Sequence, residues 1–342
     1  MRLALSVSAT LLALVPSAES FSPARPALRT WAKRFVAAEP PAAEAAPSTP
    51  GGSGDTDPEL PSFDSKEDYL AYMEAASALP AGFATGTAAG KFISQEAPAL
   101  GYLPIKGTVI YLTDGPTDSW AAVFTKNKFP GSPIKVGRER LSSGSAIQAI
   151  VINNKISNVC SGGDGVANAE LVCEAVASAL NLEGGARSVL PSSTGVIGWR
   201  LPAKELAEDV VPKAVEALQT GSALSAARDI MTTDRYPKLR SKTLSNGARI
   251  VGIAKGAGMI EPNMATMLCY IMTDASLGKK VLQSMLTDTV NRSFNSISVD
   301  GDESTSDTAV LISSEKVSMD ETMTSEFNGA LLEVCQGLAA DL

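Results

Sequence analysis

The sequence contains no histidine among its 342 residues. That absence excludes Ser-His-Asp and Cys-His catalysis, zinc sites with histidine ligands, and proton transfer through an imidazole. An enzyme built from this chain and working near neutral pH therefore needs a different general base. An excess of positive charge is also missing. The net charge of -8 argues against a nucleic-acid partner and against binding to an anionic membrane surface.

Cysteines and long apolar runs are scarce. The four cysteines form no C-x-x-C pair, so their spacing predicts reduced, mostly buried thiols rather than a zinc cluster or a secreted disulfide framework. The apolar run over residues 3–15 is too short for a membrane span and is typical of a signal-peptide core. We therefore expect neither a metal site nor a membrane-spanning segment.

The N-terminal residues 1–62 have the composition of a targeting peptide followed by a disordered linker. Residues 21–38 contain four basic residues and no acid, which is typical of a transit peptide. A signal peptide followed by a transit peptide with Phe21 at the junction resembles the bipartite address of algae with secondary plastids. The basic stretch alone also fits a mitochondrial presequence. We expect an organelle interior, a plastid before the mitochondrial matrix, and a folded part that begins near Phe63 after the Pro/Gly/Ser-rich linker.

Hydrophobic spacing indicates a mixed fold, because short β-like runs are interspersed with stretches of helical periodicity. Pro212 should interrupt the second helical stretch. The last helical stretch reaches the final residue without a capping residue, from which we expect an incomplete chain, with a natural helical terminus as the alternative. The predicted strands are Thr108–Thr113, Ala121–Thr125, Ile147–Asn153, Ala248–Ala254, Met267–Thr273 and Thr308–Ser313, and the predicted helices are Ala167–Leu180, Ala203–Gln219, Gly278–Asn295 and Asp320–Leu342.

The most informative segment is Ala254–Leu268, AKGAGMIEPNMATML. Gly256 and Gly258 permit close backbone approach or a positive φ, and Pro262 fixes a turn before the chain enters an apolar strand. A threonine at the start of a buried strand, behind such a turn, is a candidate nucleophile. Threonine is also common in strands, so this segment alone favours a structural role.

Five stretches together resemble the bifunctional glutamate N-acetyltransferase/ornithine acetyltransferase family of arginine biosynthesis. The M-A-T-M-L string of the segment above is similar to the site at which that family cleaves itself. The resemblance runs in order from about Ala81 to the C-terminus, which makes it far more specific than a lone short motif. The other four stretches are PAGFATGTAAGKF at Pro80–Phe92, PSSTGVIG at Pro191–Gly198, AARDIMTTDRYPK at Ala226–Lys238 and SVDGDESTSDT at Ser298–Thr308.

The resemblance implies an α/β layered sandwich of the ornithine acetyltransferase type that cleaves itself between Ala265 and Thr266. It divides the folded part into an alpha chain, residues 63–265, and a beta chain, residues 266–342, which assemble with each other as a heterotetramer. Members of the family have a further C-terminal segment beyond the position of Leu342, and that segment carries a substrate-binding glutamate. We therefore expect the beta chain to be incomplete, in agreement with its uncapped last helix.

The resemblance also implies a mechanism that needs no histidine. Thr266 is the nucleophile, and its α-amine, freed by cleavage, is the base, with an ordinary pKa of about 7.7–8.0. Thr266 takes acetyl from N-acetylornithine and passes it to glutamate by double displacement. The Thr194 hydroxyl and the Gly195 N–H form the oxyanion hole. Thr232, Lys255 and Thr266 bind substrate, and the Lys255 ammonium suits an α-carboxylate. No cofactor is expected, while acetyl-CoA stays open as a second acetyl donor.

Two features depart from, or compete with, this interpretation. Asn153–Gly162 reads NNKISNVCSG where the family has N-S-G-N-A-N-A-C-T-G, so Lys155 and Ile156 are unusual. The acidic run at Ser298–Thr308 suggests a calcium loop, but its spacing is wrong, and we interpret it as a shaped loop without metal. Two other functions stay open, a threonine-nucleophile aminopeptidase or hydrolase and an inactive truncated remnant.

Overall fold

The computed structural model describes residues 64–258, 267–298, 300 and 302–342, and the strands of these ranges form two sheets. The strands are β1 (Phe83–Ile93), β2 (Tyr102–Leu112), β3 (Trp120–Phe124), β4 (Ala149–Asn154), β5 (Val189–Ser193), β6 (Lys238–Thr243), β7 (Arg249–Lys255), β8 (Leu268–Ala275) and β9 (Thr308–Val317). The first sheet has the order β1-β2-β4-β5, and the second has the order β3-β9-β8-β7-β6. Neighbours are antiparallel except β4–β5 and β8–β9, which are parallel.

The helical segments of the described ranges are α1 (Lys66–Ala76), α2 (Ser132–Ser143), α3 (Gly165–Leu180), α4 (Ala203–Glu205), α5 (Val211–Glu216), α6 (Leu224–Asp229), α7 (Lys279–Asn291) and α8 (Glu321–Asp341). A π-helical turn, Leu206–Val210, joins α4 to α5. None of these helices is long and apolar enough to cross a bilayer.

The two sheets pack face to face. Successive residues of a strand point to opposite faces, so Ile150 and Ile152 of β4 enter the core between the sheets together with Tyr270 and Met272 of β8. Helices α1 and α6 add Met73, Ala226 and other apolar residues to this central core. The burial of both sheets on their inner faces explains why their strands are so rich in apolar residues.

Each outer face is covered by helices. Val109 of β2 and Val151 of β4 pack with α3, α5 and the π-helical turn in a second core. Cys269 and Ile271 of β8 pack with α7 and α8 in a third. The order of layers is therefore helices, sheet, sheet and helices, which confirms the predicted α/β layered sandwich. All eight residues of β8 are buried because the strand contributes to the central and the third core at once.

Most predicted elements are confirmed, and several elements were not predicted. All six predicted strands and all four predicted helical stretches are present, with end positions shifted by a few residues. The second helical stretch is interrupted as expected, because Pro212 lacks the N–H that a continuous helix needs. The four cysteines are free, and three of them are buried, as predicted. The predicted address and linker, residues 1–62, lie outside the described residues. The elements that sequence spacing missed are α1, β1, α2, β5, α6 and β6.

Strand β1 and helix α5 approach each other closely at Gly86. A Cβ built on Gly86 would overlap with the carbonyl oxygen of Ala214, a backbone atom that cannot move aside alone. We expect Gly86→Ala to lower the free energy of unfolding by about 2–3 kcal/mol through overpacking. Gly329→Ala is the matched control, because Gly329 is exposed on α8 with open space around it. That substitution should stabilise by up to about 1 kcal/mol. Thermal and urea unfolding of both variants test this, and equal effects would contradict it.

Candidate active site

The oxyanion loop, residues 194–198, begins where β5 ends. Thr194 is buried, and its N–H donates to the Asn153 carbonyl at 3.1 Å. Gly195 has φ 125°, and a Cβ there would overlap with the backbone carbonyl of Lys155. Within the described residues, neither the Thr194 hydroxyl nor the Gly195 N–H has a hydrogen-bond partner. Both predicted oxyanion donors are therefore adjacent and uncommitted.

A second loop, residues 155–160, holds the oxyanion loop in place. The Lys155 carbonyl accepts from the Val196 N–H at 2.8 Å, and the Ser157 N–H donates to the Val196 carbonyl at 3.0 Å. The Gly198 N–H donates to the Val159 carbonyl at 2.8 Å. The two loops follow the parallel strands β4 and β5, whose carboxyl ends lie at the same sheet edge. Ladder-like hydrogen bonds thus extend the strand pairing into the site.

Lys155 adopts a backbone conformation that favours glycine. Its φ is 87°, and the family pattern described above has a glycine at this position. Asn158 and Cys160 in the same loop also have positive φ, at 55° and 54°. The departure from the family pattern therefore places a residue with a Cβ at a positive-φ position, where it is strained.

Lys255, at the end of β7, is buried. It is 2% exposed, and within the described part of the chain its ammonium makes no salt bridge or hydrogen bond. Burial lowers the pKa of Lys255 to about 8, while the charges of Asp234 and Asp307 act in the opposite direction. The lysine is thus still mostly protonated at neutral pH, and a buried cation of this kind favours an anionic ligand.

Asp234 fixes the backbone on which Thr232 and Lys255 stand. Its carboxylate accepts from the Thr232 N–H at 3.0 Å and from the N–H of Gly256, the residue after Lys255, at 2.7 Å. It also forms a 2.6 Å ion pair with Lys238, and both side chains of that pair are buried. Burial acts to raise the pKa of Asp234, but Lys238 and the N–H donors outweigh it, so this pKa lies below its usual value.

Asp307, at the start of β9, holds the first described residue after the 259–266 gap. Its Oδ1 accepts from the Met267 N–H at 3.0 Å, and the Thr308 N–H donates to the Met267 carbonyl at 3.1 Å. The carboxyl is fully buried, and burial raises the pKa of Asp307 well above its usual value. Met267 is bonded to residue 266, so this clamp acts on the peptide unit next to the predicted nucleophile.

Asn154, the last residue of β4 in the first sheet, contacts the segment that leads to Thr232 and the second sheet. Its side-chain amide donates to the carbonyls of Asp229 and Met231, each at 2.8 Å, so the segment that carries Thr232 lies beside the end of β4. Through Asp234 this segment reaches β7, whose Lys255 pairs in register with Leu268 of β8. Thr194, Gly195, Thr232 and Lys255 are thereby connected by continuous contacts.

The predicted nucleophile Thr266 and the cleavage partner Ala265 lie outside the described residues. Asp234 and Asn154 were missed by sequence reasoning, and Asp307 was interpreted only as part of a shaped loop. The sequence does contain one signal for Asp307. This residue directly precedes an apolar strand, so its carboxyl is expected to be buried. Among the described residues, no group of three or more cysteine, aspartate or glutamate side chains could hold a metal ion.

The fold matches a known class. An aminopeptidase from Ochrobactrum anthropi, described as a variant of the Ntn hydrolase fold, is similar in structure with a TM-score of 0.52. It is 11% identical, and the match covers 78% of this chain and 85% of that one, so it shows the fold alone.

The family follows from the sequence. The ArgJ family model matches residues 105–342, and the chain belongs to that family. The arginine biosynthesis bifunctional protein ArgJ of Methylococcus capsulatus is 48% identical over 57% of this chain and 48% of its own length. The mitochondrial ArgJ protein of Heterostelium pallidum is 41% identical over 68% and 52% respectively. The chain spans about half the length of the curated relatives it matches.

Lys155 offers a direct test of loop strain. We expect Lys155→Gly to raise the free energy of unfolding by roughly 0.5–1 kcal/mol, because relief of the positive-φ strain exceeds the added chain entropy of glycine. Lys155→Ala keeps the Cβ and removes the same charge, so it should change stability little. Urea unfolding of the two variants is the measurement, and a glycine variant less stable than the alanine variant would contradict the prediction.

Lys255 should make stability depend on pH in the alkaline range. Its pKa is about 8 in the native state and 10.5 as its ordinary value. Below pH 8 Lys255 is protonated in both the native and the unfolded state, so the full cost of burying its positive charge lowers the stability of the native state. Between pH 8 and 10.5 the unfolded chain binds more protons than the native one, so this cost fades as pH rises. Lys255→Met should therefore be more stable than the parent near pH 7, with a difference that shrinks up to pH 10.5.

The measurement is urea unfolding across pH 7–10.5 in a Thr266→Ala background, which removes the hydroxyl of the predicted nucleophile. Lys204→Met, at an exposed position, controls for the loss of a positive charge. A difference between Lys255→Met and its parent that does not change with pH would show that Lys255 is not the titrating group.

Proposed function

We propose that this chain is a self-processed threonine-nucleophile acetyltransferase that moves acetyl from N-acetylornithine to glutamate in arginine biosynthesis. The observation that carries the proposal is the pair of uncommitted donors at Thr194 and Gly195 in a member of the ArgJ family. Preorganised donors of this kind stabilise a tetrahedral oxyanion, typically by about 3–4 kcal/mol each. Names of the relatives as bifunctional arginine-biosynthesis proteins support the substrate class.

Processing comes first in the proposed mechanism. The Thr266 hydroxyl attacks the Ala265 carbonyl carbon, the C–N bond of the peptide breaks, and an ester forms with release of the Thr266 α-amine. Water then hydrolyses the ester to leave a carboxylate on Ala265 and a free hydroxyl on Thr266. The freed amine can accept the hydroxyl proton in later turnovers, which explains how a chain without histidine in residues 1–342 supplies a base.

Transfer then proceeds in two halves at one covalent site. Thr266 attacks the acetyl carbonyl of N-acetylornithine, ornithine leaves with the proton, and an acetyl ester remains on Thr266. The glutamate amine attacks that ester and regenerates the hydroxyl. Lys255 binds the α-carboxylate that both amino acids share, and Thr232 lies on the neighbouring segment. Burial strengthens the Lys255–carboxylate attraction because the local dielectric constant is low.

The β-strand pairing supports two fragments that stay together after cleavage. The proposed alpha chain, residues 63–265, contains β3 and β7, and the proposed beta chain, residues 266–342, contains β8 and β9. In the second sheet β8 pairs with β7, and β9 pairs with β3. Cutting the chain before Met267 leaves these main-chain hydrogen bonds intact, and the proposed heterotetramer would be built from such pairs.

We also propose that the mature protein works inside an organelle. The composition of residues 1–62 and the mitochondrial relative support this. The apolar run that precedes the basic stretch favours a plastid over the mitochondrial matrix. Acetyl transfer through Thr266 needs no cofactor, and acetyl-CoA would be an additional acetyl donor.

The processing step gives a direct prediction. On denaturing gels the expressed chain, residues 63–342, should separate into two fragments whose junction is Ala265–Thr266, as measured by intact-mass analysis. Thr266→Ala should remain a single band, because alanine has no hydroxyl to attack the preceding carbonyl. Thr266→Ser keeps a hydroxyl and should still split. Splitting of the alanine variant would disprove the nucleophile, and an unsplit parent chain would favour the inactive remnant.

The transfer step is tested by following labelled acetyl from N-acetylornithine. Acetyl recovered on glutamate, lost in Thr266→Ala, supports the transferase. Free acetate without N-acetylglutamate, or cleavage of peptides, would identify a hydrolase instead. Repeating the assay with acetyl-CoA as the only donor shows whether the enzyme also transfers acetyl from acetyl-CoA to glutamate.

A further inference from the structure

Four charged side chains are buried where β6, β7 and the start of β9 meet. They are Asp234 before β6, Lys238 at its first position, Lys255 at the end of β7 and Asp307 before β9. Lys238 pairs in register with Ala254, so the two lysines stand on neighbouring strands, offset by one residue. These two acids and two bases lie at neighbouring strand ends, but the one ion pair that joins any of them in the described residues is Asp234–Lys238.

Asp234 is committed to Lys238. Their ion pair is 2.6 Å long, the side chain of Asp234 has no exposed surface, and that of Lys238 has 3%. Asp234 also accepts from the N–H groups of Thr232 and Gly256. Lys255 lies close enough to Asp234 for that charge to affect its pKa. Within the described residues it nevertheless forms no ion pair.

This division of partners is energetically unusual. Leaving a buried ammonium unpaired costs free energy, and pairing it with the nearest carboxylate would recover part of that cost. Asp307 also acts electrostatically on Lys255, but its Oδ1 accepts from the Met267 N–H, and no ion pair joins it to Lys255 among the described residues. Asp234 instead pairs with Lys238, although the same carboxylate accepts from the N–H of Gly256, the residue after Lys255.

We propose that Lys238 keeps Lys255 free for an anionic ligand by occupying Asp234. The class of ligand is a carboxylate, and its identity as that of an amino-acid substrate rests on the proposed function above. Asp234 and Lys238 are then positioning residues. Asp234 sets the backbone of Thr232 and Gly256, and Lys238 prevents the neutralisation of Lys255. Without Lys238, Asp234 would turn to Lys255 and compete with the ligand.

A double-variant cycle separates this role from a general electrostatic or structural one. Lys238→Met removes the competing cation, Asp234→Asn removes the competing anion, and the double variant removes both. Charges that merely add to the local potential would let Asp234→Asn improve glutamate binding by the same factor in the parent and in Lys238→Met, whereas the proposal predicts a much larger improvement in Lys238→Met. The proposal requires the second substitution to rescue the first, which is a coupling that simple loss of structure does not produce.

The experiment uses the full chain with glutamate as the probe in titration calorimetry at pH 7, and NMR of ¹³C-labelled lysines to follow Lys255. We expect Lys238→Met to weaken glutamate binding about tenfold or more and to raise the pKa of Lys255. The double variant should recover binding to within about threefold of the parent and lower that pKa again. Lys255→Met assigns the NMR signal, and Lys204→Met controls for a lost exposed charge. Lys238→Gln replaces Lys238→Met if circular dichroism shows that the methionine variant does not fold.

The outcomes are distinct. A double variant that binds as weakly as Lys238→Met overturns the proposal, and so does an unchanged pKa of Lys255 in Lys238→Met. If the parent binds no glutamate while the pKa of Lys255 rises and falls as expected, the proposed substrate is wrong but the pairing role of Lys238 stands.

Discussion

The site depends on the position of β8 in the middle of the second sheet. Main-chain hydrogen bonds from β7 and β9 hold both of its edges, and its side chains enter two cores. This fixes Met267, the residue before the strand, against Asp307. Since a buried strand with both edges paired cannot shift its register without exposing one of its faces, the position of Met267 is fixed as well.

The second constraint is the balance of buried charge. Isolated charges in a low-dielectric interior are costly, and this site contains two lysines and two aspartates with little access to water. Their burial is tolerated because the Asp234–Lys238 pair is internally neutral and also satisfies two backbone N–H groups. Lys255 and Asp307 are left as groups whose pKa values move toward the neutral form. Such shifted groups concentrate at functional sites.

Sequence spacing predicted the strands whose residues are bulky and apolar. β8 and β9 were found because both faces are buried, which makes their apolar runs continuous. β1, with the sequence FATGTAAGKFI, was missed because the close approach of α5 requires small residues such as Gly86. β5 was missed because its VLPSS sequence includes a proline at a sheet edge.

Some site residues were predicted and others were missed, because sequence spacing reports burial and periodicity but not individual hydrogen bonds. Thr194, Gly195, Thr232 and Lys255 came from family resemblance, not from any local property of the residues. Asp234 and Asn154 act through hydrogen bonds to backbone groups distant in sequence, and such contacts leave no periodic signal. Lys155 shows the opposite case: the sequence flagged it as unusual, but only the φ angle explains why.

The arrangement of the second sheet would make the proposed cleavage hard to reverse. Among the described strands, β3 pairs with β9 alone, and β7 pairs with β6 and β8. If the proposed cleavage occurs, a separated alpha fragment would contain β3 without a neighbour and β7 with a bare apolar edge. Such edges invite association with other chains rather than correct refolding. If the proposed cleavage occurs, the strands would have to pair correctly while the chain is still continuous, and the native state of the cut molecule would then depend on slow unfolding rather than on refolding.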